Sequence, residues 1–295
     1  MASQAFADAP ACLHGLEDID GLSDTSVSDY LCPLEAGPSI VRPIIGATSQ
    51  VIRASKWYKD VHGLGLDAIE INRRYSKLHL NAYFLEKVRR YLQNFEVSLH
   101  SATTGVFQGV ESFTQAELKI LQAEVDVARF LGAKEIIFHL NGGALQAGNQ
   151  DRLARVIDYA NERGIDLIYE SDSALQADFA CNVLQTFSEI GYALDLGHLN
   201  FGDRNNLLGC EIDEFIARIQ DRIVYIHANN NCGTKDEHKG LNDGSLDWRH
   251  VFGLLDWRRI RKVIIEVRSG EYLDDTLVEL ENYLTGSIRR MIPSH

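Results

Sequence analysis

The sequence predicts an α/β protein, a single (β/α)8 or TIM barrel with an N-terminal extension. Three observations carry that prediction. Between Pro43 and Leu284, eight short apolar runs alternate with segments of helical period. The chain has 295 residues and is 45% hydrophobic, enough for a barrel that needs roughly 250 residues. The first strand runs into GATSQ, not the Gly-rich phosphate fingerprint that opens a doubly wound sheet.

Residues 1–40 are rich in Ala, Asp, Ser and Gly, are broken by Pro10, Pro33 and Pro38, and hold no period. They read as a partly ordered extension outside a barrel of residues 41–295, with His14 solvated. The first strand is expected over Ile44–Ala47 and the first helix over Val51–Val61. Gly63 and Gly65 lead into a second strand, Ala68–Ile71. A helix over Asn81–Asn94 puts Phe84, Val88, Tyr91 and Leu92 on one side. Val97–His100 is the third strand, and Thr114–Leu131 a long helix stopped by Gly132. The fourth strand is Glu135–Leu140 (EIIFHL), followed by a plain turn at Gly142-Gly143 and a helix over Asp151–Arg163. The fifth is Asp166–Glu170 (DLIYE), with a helix over Ala174–Ser188. Tyr192–Leu196 (YALDL) is the sixth, with a helix around Ile212–Ile219. Ile223–His227 and Val263–Val267 (VIIEV) complete the set, followed by helices over Trp248–Trp257 and Asp274–Leu284.

Formal charge is −13, which disfavours nucleic acid bound by bulk electrostatics. The five cysteines, Cys12, Cys32, Cys181, Cys210 and Cys232, are scattered and form no CxxC pair. A disulfide framework is therefore not expected, and a reducing, cytoplasmic setting is. No apolar run approaches the roughly 18 residues of a membrane span, and the N-terminus lacks the pattern of a signal peptide. The sequence leaves homo-oligomer formation open.

The stretch Tyr225–Trp248, YIHANNNCGTKDEHKGLNDGSLDW, gathers the most candidate chemistry. Its strand ends on His227. In the loop beyond, Asp236 and His238 stand two apart, a spacing that in extended backbone points both side chains the same way. Barrel active sites lie at the C-terminal ends of the strands. The residues expected there are His100, His139, Glu170, Asp195 with His198, His227 with Asp236 and His238, and Glu266. Burying Glu170, Asp195 and Glu266 unpaired would be costly. Arg268 and Lys239 are the evident cations nearby, so a divalent metal neutralises the set more economically. Imidazoles with carboxylates suit Zn²⁺, Mn²⁺ or Co²⁺, and the five histidines and four carboxylates have room for one to three ions. Arg268, Lys239 and Asn141 are candidate substrate contacts. Cys232 reads as a bystander, and His62, His79, His250 and His295 are left outside the set.

Four motifs point further. LDLGH, with Asp195 and His198, is similar to a sixth-strand D-x-x-H, and YIHANN to a seventh-strand H-x-x-[DN]. DEHKGLNDGSLDW resembles D-E-H-x-x-x-G-x-G-x-[IL]-D-[WF], and IIEV a last-strand glutamate motif. On these motifs Ile44–Leu284 resembles the xylose isomerase-like barrel superfamily, which includes sugar phosphate isomerase/epimerase proteins and endonuclease IV. The resemblance implies two ligand schemes. In the epimerase branch one metal is held by residues matching Glu170, Asp195, His227 and Glu266. In endonuclease IV a trinuclear zinc site matches His100, His139, Glu170, Asp195, His198, His227, Asp236, His238 and Glu266. The chain departs from endonuclease IV at three places: His100-Ser101-Ala102-Thr103 replaces H-A-P-Y, His139-Leu140-Asn141 replaces H-P-G, and Asn229-Asn230-Asn231 replaces D-S-K.

The expected activity is a divalent-metal-dependent isomerase or epimerase acting on a small sugar, polyol or sugar phosphate through a metal-stabilised enediolate. Glu170 and Glu266 would move the proton and His198 would assist. The alternative is an endonuclease IV-like multinuclear zinc phosphoesterase (AP endonuclease family 2).

Overall fold

The computed structural model describes residues 42–51, 57–72, 82–103 and 115–291. The predicted extension over residues 1–40 lies outside these residues, as do His79 and His295. Eight parallel strands close in chain order, and the last pairs with the first. They are β1 (Ile44–Thr48), β2 (Ala68–Asn72), β3 (Glu96–His100), β4 (Glu135–His139), β5 (Asp166–Glu170), β6 (Gly191–Asp195), β7 (Ile223–Ala228) and β8 (Lys262–Ile265). The expected barrel is the observed one.

Each strand is four to six residues long, so period-two alternation assigns its side chains to two environments. Ala68, Ile137, Ile168, Ala193, Tyr225 and Ile264 form one buried cluster, the middle of the barrel interior. Ile69, Ile136, Phe138, Leu167 and Val263 belong to the larger cluster between barrel and helices. In β4 the inward positions are thus Glu135, Ile137 and His139; in β5 they are Asp166, Ile168 and Glu170. The apolar middle layer leaves the polar residue at each strand's C-terminal end on the interior face, where the site forms.

Helices α1 (Trp57–Asp60), α2 (Ala82–Tyr91), α3 (Gln115–Leu131), α4 (Ala147–Asn161) and α5 (Ala177–Thr186) follow the first five strands. After β6 come two helices, α6 (Leu196–Arg204) and α7 (Ile212–Ile219), where the sequence suggests only the second. α8 (Trp248–Leu254) and α9 (Glu271–Met291) complete the set. α6 begins directly at the strand end because Asp195 caps it: its Oδ1 accepts from the backbone N–H of His198 at 2.7 Å. The last strand stops before Glu266, yet Glu266 N still donates to Ala228 O at 3.2 Å. Cys181, Cys210 and Cys232 are free thiols. Among the described residues no helix is long and apolar enough to cross a membrane.

Candidate metal centre

The C-terminal ends of β3 to β6 each finish on a candidate ligand: His100, His139, Glu170 and Asp195. His227 is the penultimate residue of β7, and Glu266 follows β8. Strand register sets His139 beside Glu170 and Asp195 beside His227. All six are buried.

His227 is the hub of one group. Its Nδ1 is 3.0 Å from Glu170 Oε1, 3.1 Å from Glu266 Oε2 and 3.7 Å from Asp195 Oδ2. Donor atoms of Glu170, Asp195, His227 and Glu266 all lie within 4.8 Å of one another, and so do those of a second group, His100, His139 and Glu170. Glu170 belongs to both: its Oε2 is 3.1 Å from His100 Nε2 and 3.4 Å from His139 Nε2.

The D-x-x-H spacing has a direct structural cause. With Asp195 as N-cap, His198 enters the first turn of α6, and its Nδ1 lies 3.5 Å from Glu170 Oε1. Gly197 between them admits no side chain, since a Cβ there would meet Asn229 Oδ1 at 2.0 Å. Asn229 is held against the centre by donating to Asp195 Oδ2 at 2.7 Å.

Asp236 and His238 do converge, with Asp236 Oδ2 3.0 Å from His238 Nε2 and 3.7 Å from His198 Nε2. Their convergence does not come from plain extended backbone. His238 has φ 49°, a left-handed conformation that His tolerates better than most residues. The loop is pinned by an Asn230–Lys239 antiparallel bridge and by Arg268 N donating to His238 O at 2.9 Å.

His100, His139, Glu170, His198, Asp236, His238 and Glu266 line a cavity of about 230 Å³ together with Gln50, Asn72, Asp172 and Arg268, and Asp195 and His227 do not reach its wall. Lys239 and Asn141 stand outside that lining. Lys239 Nζ is engaged 3.2 Å from Glu237 Oε1 and 3.2 Å from Cys232 Sγ. Asn141 spends its side-chain oxygen capping the turn at Gly142–Leu145, accepting from Gly143 N at 3.0 Å. His62 packs edge-on against Phe95, and His250 bonds Asp213 on the outer surface.

The carboxylates and imidazoles shift one another's ionisation strongly. Burial raises the Glu170 carboxyl, but His227, His139 and His100 outweigh it and hold it well below the usual range. Burial, reinforced by Glu170, pushes Glu266 up against the pull of His227 and His238. Burial lowers the His100 and His238 imidazoles, yet their carboxylate neighbours carry each up to about 9. His198 and His227 are raised well above their ordinary value by their carboxylate neighbours, against burial. His139 is lowered, by burial and the imidazoles around it.

The residues present fit a divalent ion. Imidazole nitrogens and carboxylate oxygens converge at the strand ends, and the buried Oδ1 of Asp236 has no hydrogen-bond partner. A cation bound there would compete with protons for the same imidazole nitrogens and carboxylate oxygens.

Glu70 joins the centre although no motif or strand end marks it in the sequence. It lies mid-strand in β2, wholly buried, with Oε2 3.0 Å from His227 Nε2. The signal was available: AIEIN places an acid in an apolar run, as DLIYE does.

A family model described as xylose isomerase-like TIM barrel matches residues 58–283. No curated protein matches the sequence. Among solved structures, a D-tagatose 3-epimerase-like protein is similar at 16% identity and TM-score 0.69, over 84% of this chain and 100% of that one. The TTHB071 protein of Thermus thermophilus, in crystals soaked with ZnCl2, is 21% identical with TM-score 0.63, over 82% and 98%. D-allulose 3-epimerase from Methylomonas sp., in complex with D-allulose, is 18% identical with TM-score 0.59, over 82% and 97%. At these identities the likeness is one of fold.

Proposed function

The chain belongs to the xylose isomerase-like TIM barrel family, and from that premise we propose that it is a divalent-metal-dependent isomerase or epimerase of a small sugar, polyol or sugar phosphate. The observation that carries this reading is the buried ring of Glu170, Asp195, His227 and Glu266, with donor atoms all within 4.8 Å. These four would hold the ion, and their mixed donors match zinc or manganese. When bound, the ion polarises adjacent carbonyl and hydroxyl oxygens and acidifies the C–H between them. Glu170 and Glu266 are the carboxylates beside that position. One takes the proton on an Oε atom and the other returns it, and delivery to the opposite face inverts the carbon. His198 faces Asp236 through Nε2 and is placed to bond a substrate hydroxyl. Arg268, on the cavity wall, supplies a further donor. Relatives of the same fold include an epimerase bound to D-allulose, which supports the same substrate class here.

One observation favours a second reading. His100, His139 and Glu170 form a further donor group, and Asp236 with His238 stands beside it, enough for a multinuclear zinc phosphoesterase of the endonuclease IV type. The charge of −13 weighs against DNA as its substrate. Incubation with a panel of ketoses in D2O, beside abasic-site DNA, separates the two. Deuterium at the carbon next to the carbonyl is the expected result. Strand cleavage without exchange would replace the isomerase reading by the hydrolase.

A further inference from the structure

The five histidines of the centre are not oriented alike. Backbone carbonyls face Nδ1 of His100 (Ser101 O, 3.4 Å), His139 (Glu170 O, 3.1 Å), His198 (Ser171 O, 2.8 Å) and His238 (Glu266 O, 2.9 Å). A carbonyl only accepts, so Nδ1 carries the hydrogen in all four, and Nε2 of each faces a carboxylate, although His198 Nδ1 also lies 3.5 Å from Glu170 Oε1. His227 is reversed. Its Nδ1 points at Glu170 and Glu266, and its Nε2 lies 3.0 Å from Glu70 Oε2.

Glu70 is built into a directed chain. Tyr225 donates its hydroxyl hydrogen to Glu70 Oε2 at 2.9 Å. That hydroxyl has one hydrogen, so Ser98 Oγ, 2.7 Å away, must donate to it. Glu70 Oε1 has no hydrogen-bond partner. The carboxylate is thus committed through one oxygen, shared between Tyr225 and His227. Burying it this way is costly, and what the arrangement fixes is the imidazole.

We propose that Glu70 is a positioning residue of the metal centre, holding His227 in its Nε2–H form so that Nδ1 is the donor atom presented beside Glu170, Asp195 and Glu266. Among the described residues the ring nitrogens of His227 face side-chain carboxylates and not a backbone carbonyl, so Glu70 takes the place that a carbonyl holds for the other four. The proposal rests on the metal-binding reading above.

The test uses the full chain and zinc alone. Nitrogen chemical shifts of the His227 ring in the zinc-loaded wild type should show a protonated Nε2 and a metal-bound Nδ1. Zinc affinity, measured by chelator competition, should stay close to wild type in Glu70→Gln, which keeps an acceptor. Glu70→Leu, which removes it, should weaken zinc about 10–100-fold. Tyr225→Phe disturbs the same buried chain without touching the imidazole and should leave zinc affinity near wild type. A proton on Nδ1 in the loaded wild type, or wild-type affinity in Glu70→Leu, overturns the proposal. The ring-nitrogen measurement needs no variant, so it decides even where Glu70→Leu does not fold. Wild-type protein that takes up no zinc sinks the metal-binding reading and this proposal together; equal binding by wild type and Glu70→Leu sinks only this one.

Discussion

The two ends of the barrel both bury charge, and they close it differently. At the N-terminal end Lys262 Nζ lies 2.7 Å from Glu135 Oε2, with the two side chains only 2% and 5% exposed. Glu96 stands 3.8 Å from the same ammonium. At the C-terminal end Glu70, Glu170, Asp195 and Glu266 are buried, and the groups that face them include His100, His139, His198 and His227. The same strands supply both ends: β4 carries Glu135 and His139, and β8 runs from Lys262 to the residue before Glu266. Burial of charge alone therefore does not mark a site. An ammonium–carboxylate pair is already neutral and has nothing to exchange. An imidazole can surrender its proton to an incoming cation and become a ligand.

The largest expected effect breaks the C-terminal end. Glu170→Gln removes the carboxylate shared by both donor groups while nearly keeping its shape. Turnover of a responsive ketose should fall about 10²–10⁴-fold, with the circular dichroism spectrum unchanged; near-wild-type turnover would remove Glu170 from the chemistry.

Next comes the opposite end. Lys262→Met leaves Glu135 buried without its partner, and denaturant unfolding should register a loss of about 3–5 kcal/mol. Bound metal per folded chain should not change. Metal lost from this variant would show that the two ends are not independent.

Acidity sharpens the contrast further. His100 and His238 are carried from the ordinary 6.5 up to about 9 in the folded, metal-free chain. Their charged forms stabilise that chain fully below pH 6.5, and the contribution is lost as pH rises through about 9. His198 and His227, also raised, act in the same direction, and His139, lowered, opposes them. Metal uptake displaces these protons, so affinity should rise over the same window. Denaturation of chelator-stripped protein at several pH values, beside Mn²⁺ titrations, should give opposite slopes; parallel slopes would contradict the assignment.

The smallest effect is expected within the C-terminal end itself. Asp236 and His238 sit on a loop and are 29% and 15% exposed, against 0% for His227 and 1% for Glu170. Replacing both by Ala should leave the deep ion bound and weaken turnover only through substrate contacts. Loss of an ion would favour the multinuclear reading.

Much of this was legible in the sequence because strand and site share one periodicity. An apolar run ending on His139, Glu170 or Asp195 reveals both the strand and the residue at its mouth. What stayed hidden depends on contacts between distant segments. α6 is short, with two glycines in LGHLNFGDR, and it forms because Asp195 caps it. The local partners of Lys239 and Asn141, Glu237 and Gly143, are ones that no spacing rule announces. Glu70 was visible as an acid in a strand, but its role needs His227 opposite, 157 positions away.

Glu170, Asp195, His227 and Glu266 are proposed to hold a divalent ion. The most direct test is the metal content of purified wild type and Glu266→Gln after equal exposure to zinc and gel filtration. The wild type is expected to hold at least about one ion per chain, and removing one ligand charge while keeping the side chain's size should drop bound metal well below that, with the fold intact. Equal stoichiometry in the two proteins would contradict it.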